Sequence, residues 1–412
     1  MRRTVIALLF LLGLVAMSNA MPAPIPAPIQ ILANPATPAN GTRTLQLEEL
    51  WRRGSEDDDE IFFGLINQVA VDEDGNTYLL DGQLSQVPVF DPSGELINIL
   101  SREGDGPGET RRPVDLQLTD DGRVGLAVGF PGRVVYVDLQ GEPAGVLKVG
   151  GDPSQGGFTV VRSARANGDL TVLGASAAST DREAGTQTRT PRVAIYDAEG
   201  NATHVLHEES YVIDFTERLF REAKQMELAL RRVSVGHDGR IYFAPNREDY
   251  RIDVFEADGT PVRSITREYP VHKRSAEEME EWRKLFLASV SRAQFPPDIE
   301  LSLTAAPIDW IYGGLWARDD GTLWVRSSRA VQDLPAGIML TYDVFDHDGR
   351  FTEQVQIACP GDGTEDALFF AGPDRMILVR GFMDSVRAMF GGVEGHEDQE
   401  AEPLEIVCYR VQ

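Results

Sequence analysis

This sequence predicts an all-β fold, a six-bladed β-propeller of four-stranded antiparallel blades. Three observations predict it. First, an apolar strand, a polar turn ending in glycine and a second apolar strand recur as AVDEDGNTYLL (70–80), QLTDDGRVGLA (117–127), SARANGDLTVL (163–173), SVGHDGRIYFA (234–244) and WARDDGTLWVR (316–326). Second, another hairpin phrase follows each copy, with its turn glycine at Gly94, Gly141, Gly200, Gly259 or Gly349. Third, the turn glycines Gly75, Gly122 and Gly168 lie 47 and 46 residues apart. Two hairpins per repeat make four antiparallel strands, and repeats of that length and content are propeller blades.

From the N terminus, residues 1–20 have the pattern of a secretory signal peptide. Arg2 and Arg3 precede the apolar run Val5 to Met17, and Ser18, Asn19 and Ala20 offer small residues for cleavage. The run is too short to span a bilayer comfortably. The expected location is therefore periplasmic or secreted, with no membrane span after cleavage. Residues 21–41 carry Pro22, Pro24, Pro26, Pro28, Pro35 and Pro38, the composition of a semi-rigid polyproline linker.

The propeller is expected over residues 42–412. TLQLEELW (44–51) alternates Leu45 and Leu47 with polar residues but has no hairpin partner of its own. The last repeat, LFFAGPDRMILVR (368–380), has Asp374 in place of the turn glycine and supplies only one further strand, Leu404–Val411. The N-terminal strand is therefore expected to complete the sixth blade and close the ring. Closure removes an open edge that would otherwise pair with another chain.

The spacing between turns shows where chain has been added. From first-turn to second-turn glycine the separations are 19, 19, 32, 20 and 28 residues; from second turn to the next first turn they are 28, 27, 39, 62 and 25. Every enlargement falls on the face shared by the loops between middle strands and the connectors between blades. A rigid scaffold elaborated on one side usually binds there. Two insertions are expected to be helical, about 214–230 and 275–291. In the first, Thr216 can cap a stripe of Leu219, Phe220, Ala223, Met226 and Leu230. In the second, Ser275 and Glu278 form a capping box ahead of Met279, Trp282, Leu285, Phe286 and Val290. Such stripes either pack on the propeller rim or form a groove for a partner.

The stretch REGDGPGETRRP (102–113) has the glycines of a phosphate loop, but such a loop leads into a helix whose amides meet the anion. Here Pro113 and the period-two residues Val114, Leu116 and Leu118 follow, so it is expected to connect two blades. Gly104, Gly106, Pro107, Gly108 and Pro113, with Val114, Leu116, Leu118, Asp121 and Gly122, resemble the NHL repeat. Over roughly residues 42–412 the chain is similar to exported bacterial six-bladed propellers of that NHL-like group. The resemblance implies the fold and leaves the ligand open.

Without the signal peptide the chain carries 37 basic against 65 acidic residues, a charge of −28, which repels nucleic acid and anionic membranes. Yet Arg102, Arg111, Arg112, Arg133, Arg247, Arg326, Arg329 and Arg380 all fall in or beside loops of the elaborated face, with Trp310 and Tyr312 nearby. Arginines with aromatics can hold carboxylates or sugars. Arg111, Arg112, Arg133, Arg247, Trp310, Tyr312, Arg326 and Arg380 are accordingly the candidate binding residues. The alternative is a solvated, salt-bridged rim.

Some propellers of related shape are lyases or lactonases with a channel metal. The six histidines here (His204, His207, His237, His272, His347 and His396) form no ligand pair, the turns DEDG and DDG fail the EF-hand pattern, and no G-x-S-x-G elbow occurs. No catalytic residue, metal or other cofactor is assigned. The leading expectation is a non-catalytic, monomeric binding scaffold for a protein or small ligand. The alternative is a metal-dependent hydrolase or lyase acting at the central channel. Cys359 and Cys408 are either a disulfide, worth roughly 4 kcal/mol in the chain-entropy account, or two buried thiols.

Overall fold

The computed structural model describes residues 29–55, 61–150, 157–291, 302–304, 306, 312–389 and 403–412. The signal peptide, residues 21–28, Trp310 and His396 lie outside the described residues. The chain opens with β1 (Gln30–Asn34) and β2 (Thr42–Gly54). The repeats then fold as antiparallel meanders. The first sheet orders β3 (Ile66–Val71), β4 (Thr77–Asp81), β5 (Val87–Phe90) and β6 (Leu96–Leu100). The second orders β7 (Pro113–Leu118), β8 (Arg123–Val128), β9 (Arg133–Asp138) and β10 (Pro143–Lys148). The third holds β11 (Gly157–Asn167), β12 (Leu170–Asp181), β13 (Thr186–Tyr196) and β14 (Ala202–Glu208), with β15 (Tyr211–Asp214) also paired to β13.

After β16 (Leu219–Arg221), the fourth sheet runs β17 (Val233–Val235), β18 (Ile241–Phe243), β19 (Arg251–Phe255) and β20 (Pro261–Arg267). The short β21 (Ser302–Thr304) precedes the last sheet. That sheet has eight strands, in the order β22 (Tyr312–Ala317), β23 (Leu323–Ser327), β24 (Ile338–Phe345), β25 (Phe351–Ala358), β2, β28 (Glu405–Val411), β27 (Arg375–Arg380) and β26 (Ala367–Ala371).

The sheets stack face to face in a circle. Leu80, Val89, Leu126 and Val137 join the first sheet to the second. Tyr136 and Leu173 continue to the third, and Ile195, Ile241 and Phe243 to the fourth. Ile252 and Val325 reach β22–β25, and Tyr342, Leu340, Leu378 and Tyr409 join those strands to β26–β28. Finally Ile377, Ile406 and Cys408 meet Ile66, Leu79 and Phe90, so the packing returns to the first sheet. This is a propeller-like arrangement. Every residue of β4 and β5 is buried because neighbouring sheets cover both faces, which is why such middle strands are apolar throughout. Trp316, Trp324, Tyr342 and Phe370 strengthen one junction with ring centroids 5.2 to 5.6 Å apart, each such pair adding about 0.5–1.5 kcal/mol beyond area burial.

Inner strands present an unpaired backbone edge to the central passage, and polar side chains from the preceding sheet satisfy part of it. Asp115 accepts from Ala164 N at 2.9 Å and from Gln68 Nε2 at 3.1 Å, and pairs with Arg165. Arg165 Nε donates to Val233 O at 3.3 Å, and Asn167 Nδ2 to Gly236 O at 2.6 Å. Ser234 Oγ accepts from Ala317 N at 2.9 Å.

The outer edges are handled by the N-terminal arm. Thr42 to Gln46 of β2 pair in parallel with β25, and Leu47 to Gly54 pair antiparallel with β28. Trp51 of β2 stacks on Phe90 at 5.5 Å and lies against the turn at Gly94. A Cβ at Gly94 would sit 2.5 Å from the indole, and the turn needs a φ of +83°, so only glycine suits.

Three sequence expectations require correction. The linker expected over 21–41 is partly structural: β1 pairs in parallel with β20. The Asn34 amide, 7% exposed, donates to Thr266 O and Gly349 O, while its Oδ1 accepts from Phe351 N. The 214–230 insertion is not one helix. Asp214, rather than Thr216, caps a 3-10 turn at Phe215–Glu217, and Arg218 turns left-handed with φ +50°. There follow β16, the single turn α1 (Glu222–Gln225) and a second 3-10 turn at Leu228–Arg231. The cysteines are unbonded and buried on opposite faces of the β26–β28 strands. Cys359 packs with Val407 and Tyr409, whereas Cys408 points with Ile406 toward the first sheet. Successive residues of a strand face opposite ways, so a bond would have to cross the sheet.

Two predictions follow from these contacts. A chain beginning at residue 30 should keep the thermal midpoint of one beginning at residue 21, whereas one beginning at residue 42 should melt lower. Asn34→Ala should cost about 2–3 kcal/mol in chemical denaturation, because buried backbone groups lose their partners. Thiol titration of the denatured, unreduced protein should find two free thiols per chain; one disulfide would contradict the facing of Cys408.

Candidate binding face

The tight glycine turns share one end of every sheet, and neighbouring turns touch there. Arg375 Nη1 donates to Gly75 O at 3.0 Å, and Asn167 Nδ2 to His237 O at 3.0 Å. The insertions occupy the other end. The two long ones meet: β16 pairs in parallel with β21, and Phe220 stacks on Phe286 at 4.3 Å. Phe286 belongs to α2 (Ala276–Ser291), the helix expected from the sequence. Its capping box is formed, with Ser275 N donating to Glu278 Oε2 at 2.6 Å and Glu278 N to Ser275 Oγ at 3.1 Å. A third helix, α3 (Phe382–Met389), follows β27 on this face. Sequence reasoning missed it because the last repeat lacks the turn spacing that measured the other loops.

A buried carboxylate knots these loops. Glu222, wholly buried, accepts from Arg247 Nη2 at 2.5 Å, from Arg274 Nη1 at 2.8 Å and from Ala306 N at 2.8 Å. Its partners come from the loop after β18, from the chain leading into α2 and from the chain after β21. Beside the knot lies a cleft of about 710 Å³ whose walls include His207, Tyr211, Lys224, Glu227 and Asp249. Burial pushes the His207 pKa down and the Tyr211 pKa up. Glu227 Oε1 accepts from Ser176 Oγ at 2.5 Å and from Tyr211 OH at 3.0 Å.

The structure does not gather the sequence-predicted arginines into one site. Arg111 is held by Glu103 and Asp105, both at 3.0 Å, in exposed pairs. Arg102 is held by Glu109 at 2.7 Å, and Arg329 lies 3.6 Å from Asp333. Arg247 belongs to the Glu222 knot, so its role is structural. Arg326 donates to Gly363 O at 2.9 Å, and Arg380 pairs with Glu405 at 3.0 Å. Arg112 is exposed, and Arg133 lies near enough to Asp105 to help hold that carboxyl below its usual range. Tyr312 opens β22; Trp310 lies outside the described residues.

The glycine loop 102–113 supplies its own anion. Glu109 Oε2 accepts from Gly106 N at 2.8 Å, and a Cβ at Gly104 would lie 2.0 Å from that same oxygen. The carboxylate fills the space a phosphate would need. Among the described residues, no three His, Cys, Asp or Glu side chains group to hold a metal, and no helix is long and apolar enough to cross a membrane.

The cations that sequence reasoning missed lie deeper. Arg162, Arg189 and Arg231 come together where the passage opens toward the insertions, each within electrostatic reach of another. Burial and the neighbouring guanidiniums push the pKa of both Arg162 and Arg231 down. None of the three lies in a recurring phrase, so the repeat pattern does not point to them.

No model of a known protein family matches the chain, and no curated protein does either. Among solved structures, it is similar to regucalcin, a calcium-binding protein of Agrobacterium tumefaciens, at 12% identity over 91% of this chain and 97% of that one, with a TM-score of 0.43. A candidate exported protein of Bacteroides fragilis is 10% identical over 93% and 100%, with a TM-score of 0.48. Virginiamycin B lyase of Staphylococcus aureus is 7% identical over 88% and 99%, with a TM-score of 0.39. Likeness at this level carries no argument about what this chain binds.

The knot itself is testable. Glu222→Ala should destabilise by about 3–5 kcal/mol in urea denaturation, because two buried guanidiniums lose their counter-charge. A loss below about 1 kcal/mol would show that the loops hold without it.

Proposed function

We propose that this chain is an exported, non-catalytic, six-bladed propeller of the NHL-repeat-like group that presents its insertion-bearing face to a protein or small ligand. The division of the eight-stranded sheet at β2 supports the blade count. β22–β25 form one blade, β26–β28 with the second half of β2 form another, and the four remaining sheets make six. The signal-like residues 1–20 support export.

One observation carries the binding reading. The two long insertions pair with each other and are tied by Glu222 over one face, beside an open polar cleft of about 710 Å³, while the opposite face has only tight turns. Ordered loops on a rigid scaffold are the usual construction of a binding surface.

Capture of partners from the exported fraction tests it. Arg112→Glu/Arg133→Glu changes charge on the elaborated face, and Arg350→Glu makes the matching change beside the turn at Gly349. The first variant should lose captured partners that the second and the wild type retain. Equal capture by all three would count against the face assignment.

A further inference from the structure

Around the opening of the passage, one row of residues crosses four strands: Phe158 on β11, Ala178 on β12, Arg189 on β13 and Tyr211 on β15 are register neighbours. The Arg189 guanidinium lies 5.7 Å from the Phe158 ring centroid, and Phe130 meets Phe158 edge-on at 5.4 Å. Phe130 is 60% exposed, a large apolar surface left in water beside cations.

Arg162 occupies the β-bulge between Val161 and Ser163, where the ladder skips it. Bulges re-aim a side chain out of the regular alternation and are common beside functional sites. Its nearest acid is Glu227 at 3.9 Å, too far for a hydrogen bond, and Glu227 Oε2 has no hydrogen-bond partner. Arg231 ends the 3-10 turn above β17. It lies deep in the molecule yet its side chain is exposed, which places it in a solvent-filled recess, and no carboxylate lies within ion-pair distance of it among the described residues. In a chain of charge −26, most arginines of this face are neutralised by acids; this one is not.

We propose that this recess binds a small anion with an aromatic or apolar body, its carboxylate or phosphate held by Arg162, Arg189 and Arg231 and its body packed on Phe130 and Phe158. Guanidinium forks match both acid groups, and the aromatic wall favours a flat apolar body over a bare ion. The inference rests on the binding-face reading and names the ligand class for that face.

Calorimetric titration of the purified full chain with benzoate, phenyl phosphate and inorganic phosphate tests it. At least one aromatic probe should bind the wild type more tightly than inorganic phosphate does, and the better of the two identifies the acid group. Arg231→Gln, which breaks no ion pair of the protein, should weaken that probe by about tenfold or more at an unchanged thermal midpoint. Phe130→Ala should reduce it toward the affinity of inorganic phosphate, and Arg350→Gln should change nothing. Failure of both aromatic probes to bind the wild type, or undiminished binding by Arg231→Gln, would overturn the proposal. An unchanged Phe130→Ala affinity would overturn its aromatic half. If the probes fail while partner capture still depends on Arg112 and Arg133, the anion site falls and the binding-face reading stands.

Discussion

The pairing of β2 with β25 on one side and β28 on the other is the contact on which the arrangement depends. A ring of sheets cannot close by packing alone, because β26–β28 would end on a strand whose amides and carbonyls lack partners. β2 supplies them with its second half while its first half holds the neighbouring sheet. Trp51 then carries the closure into the first sheet. First and last parts of the chain are thereby joined, and loss of this strand would affect two sheets together.

The same demand operates at the centre. Inner strands expose backbone edges to a narrow passage, and Asp115, Arg165, Asn167 and Ser234 satisfy part of that edge from the sheet before. These side chains are committed to the scaffold. A side chain free to meet a ligand must be one that the edges and loops do not need, which separates Arg165, bound to Asp115, from Arg231 in the open recess. The insertions obey the same rule: Glu222 uses two arginines to hold loops, and a buried carboxylate of that kind is tolerable only because every oxygen is paired.

Much of the fold was legible in the sequence. Alternating apolar residues and turn glycines depend on neighbours within a few positions, and the Ser275–Glu278 box formed as its spacing required. The first insertion misled because its helical stripe was outweighed by contacts distant in sequence: Phe220 went to a strand beside Leu303, and Glu222 was drawn to Arg274. The proline-rich arm misled in part, since an extended backbone suits a tether and an edge strand equally. The partners of Asn34 lie more than two hundred residues away.

Local sequence thus determined the strands, the turns, the face that carries the insertions and the acidic charge, because each follows from short-range spacing or from composition. Tertiary structure decided which edges the N-terminal arm covers, that Cys359 and Cys408 face apart, and which arginines are already paired. An arginine's availability depends on the carboxylate that reaches it, and that carboxylate arrives from another loop. Arg111 and Arg247 look alike to Arg231 in the sequence; only the folded loops bring acids to the first two and leave the third facing solvent in the recess.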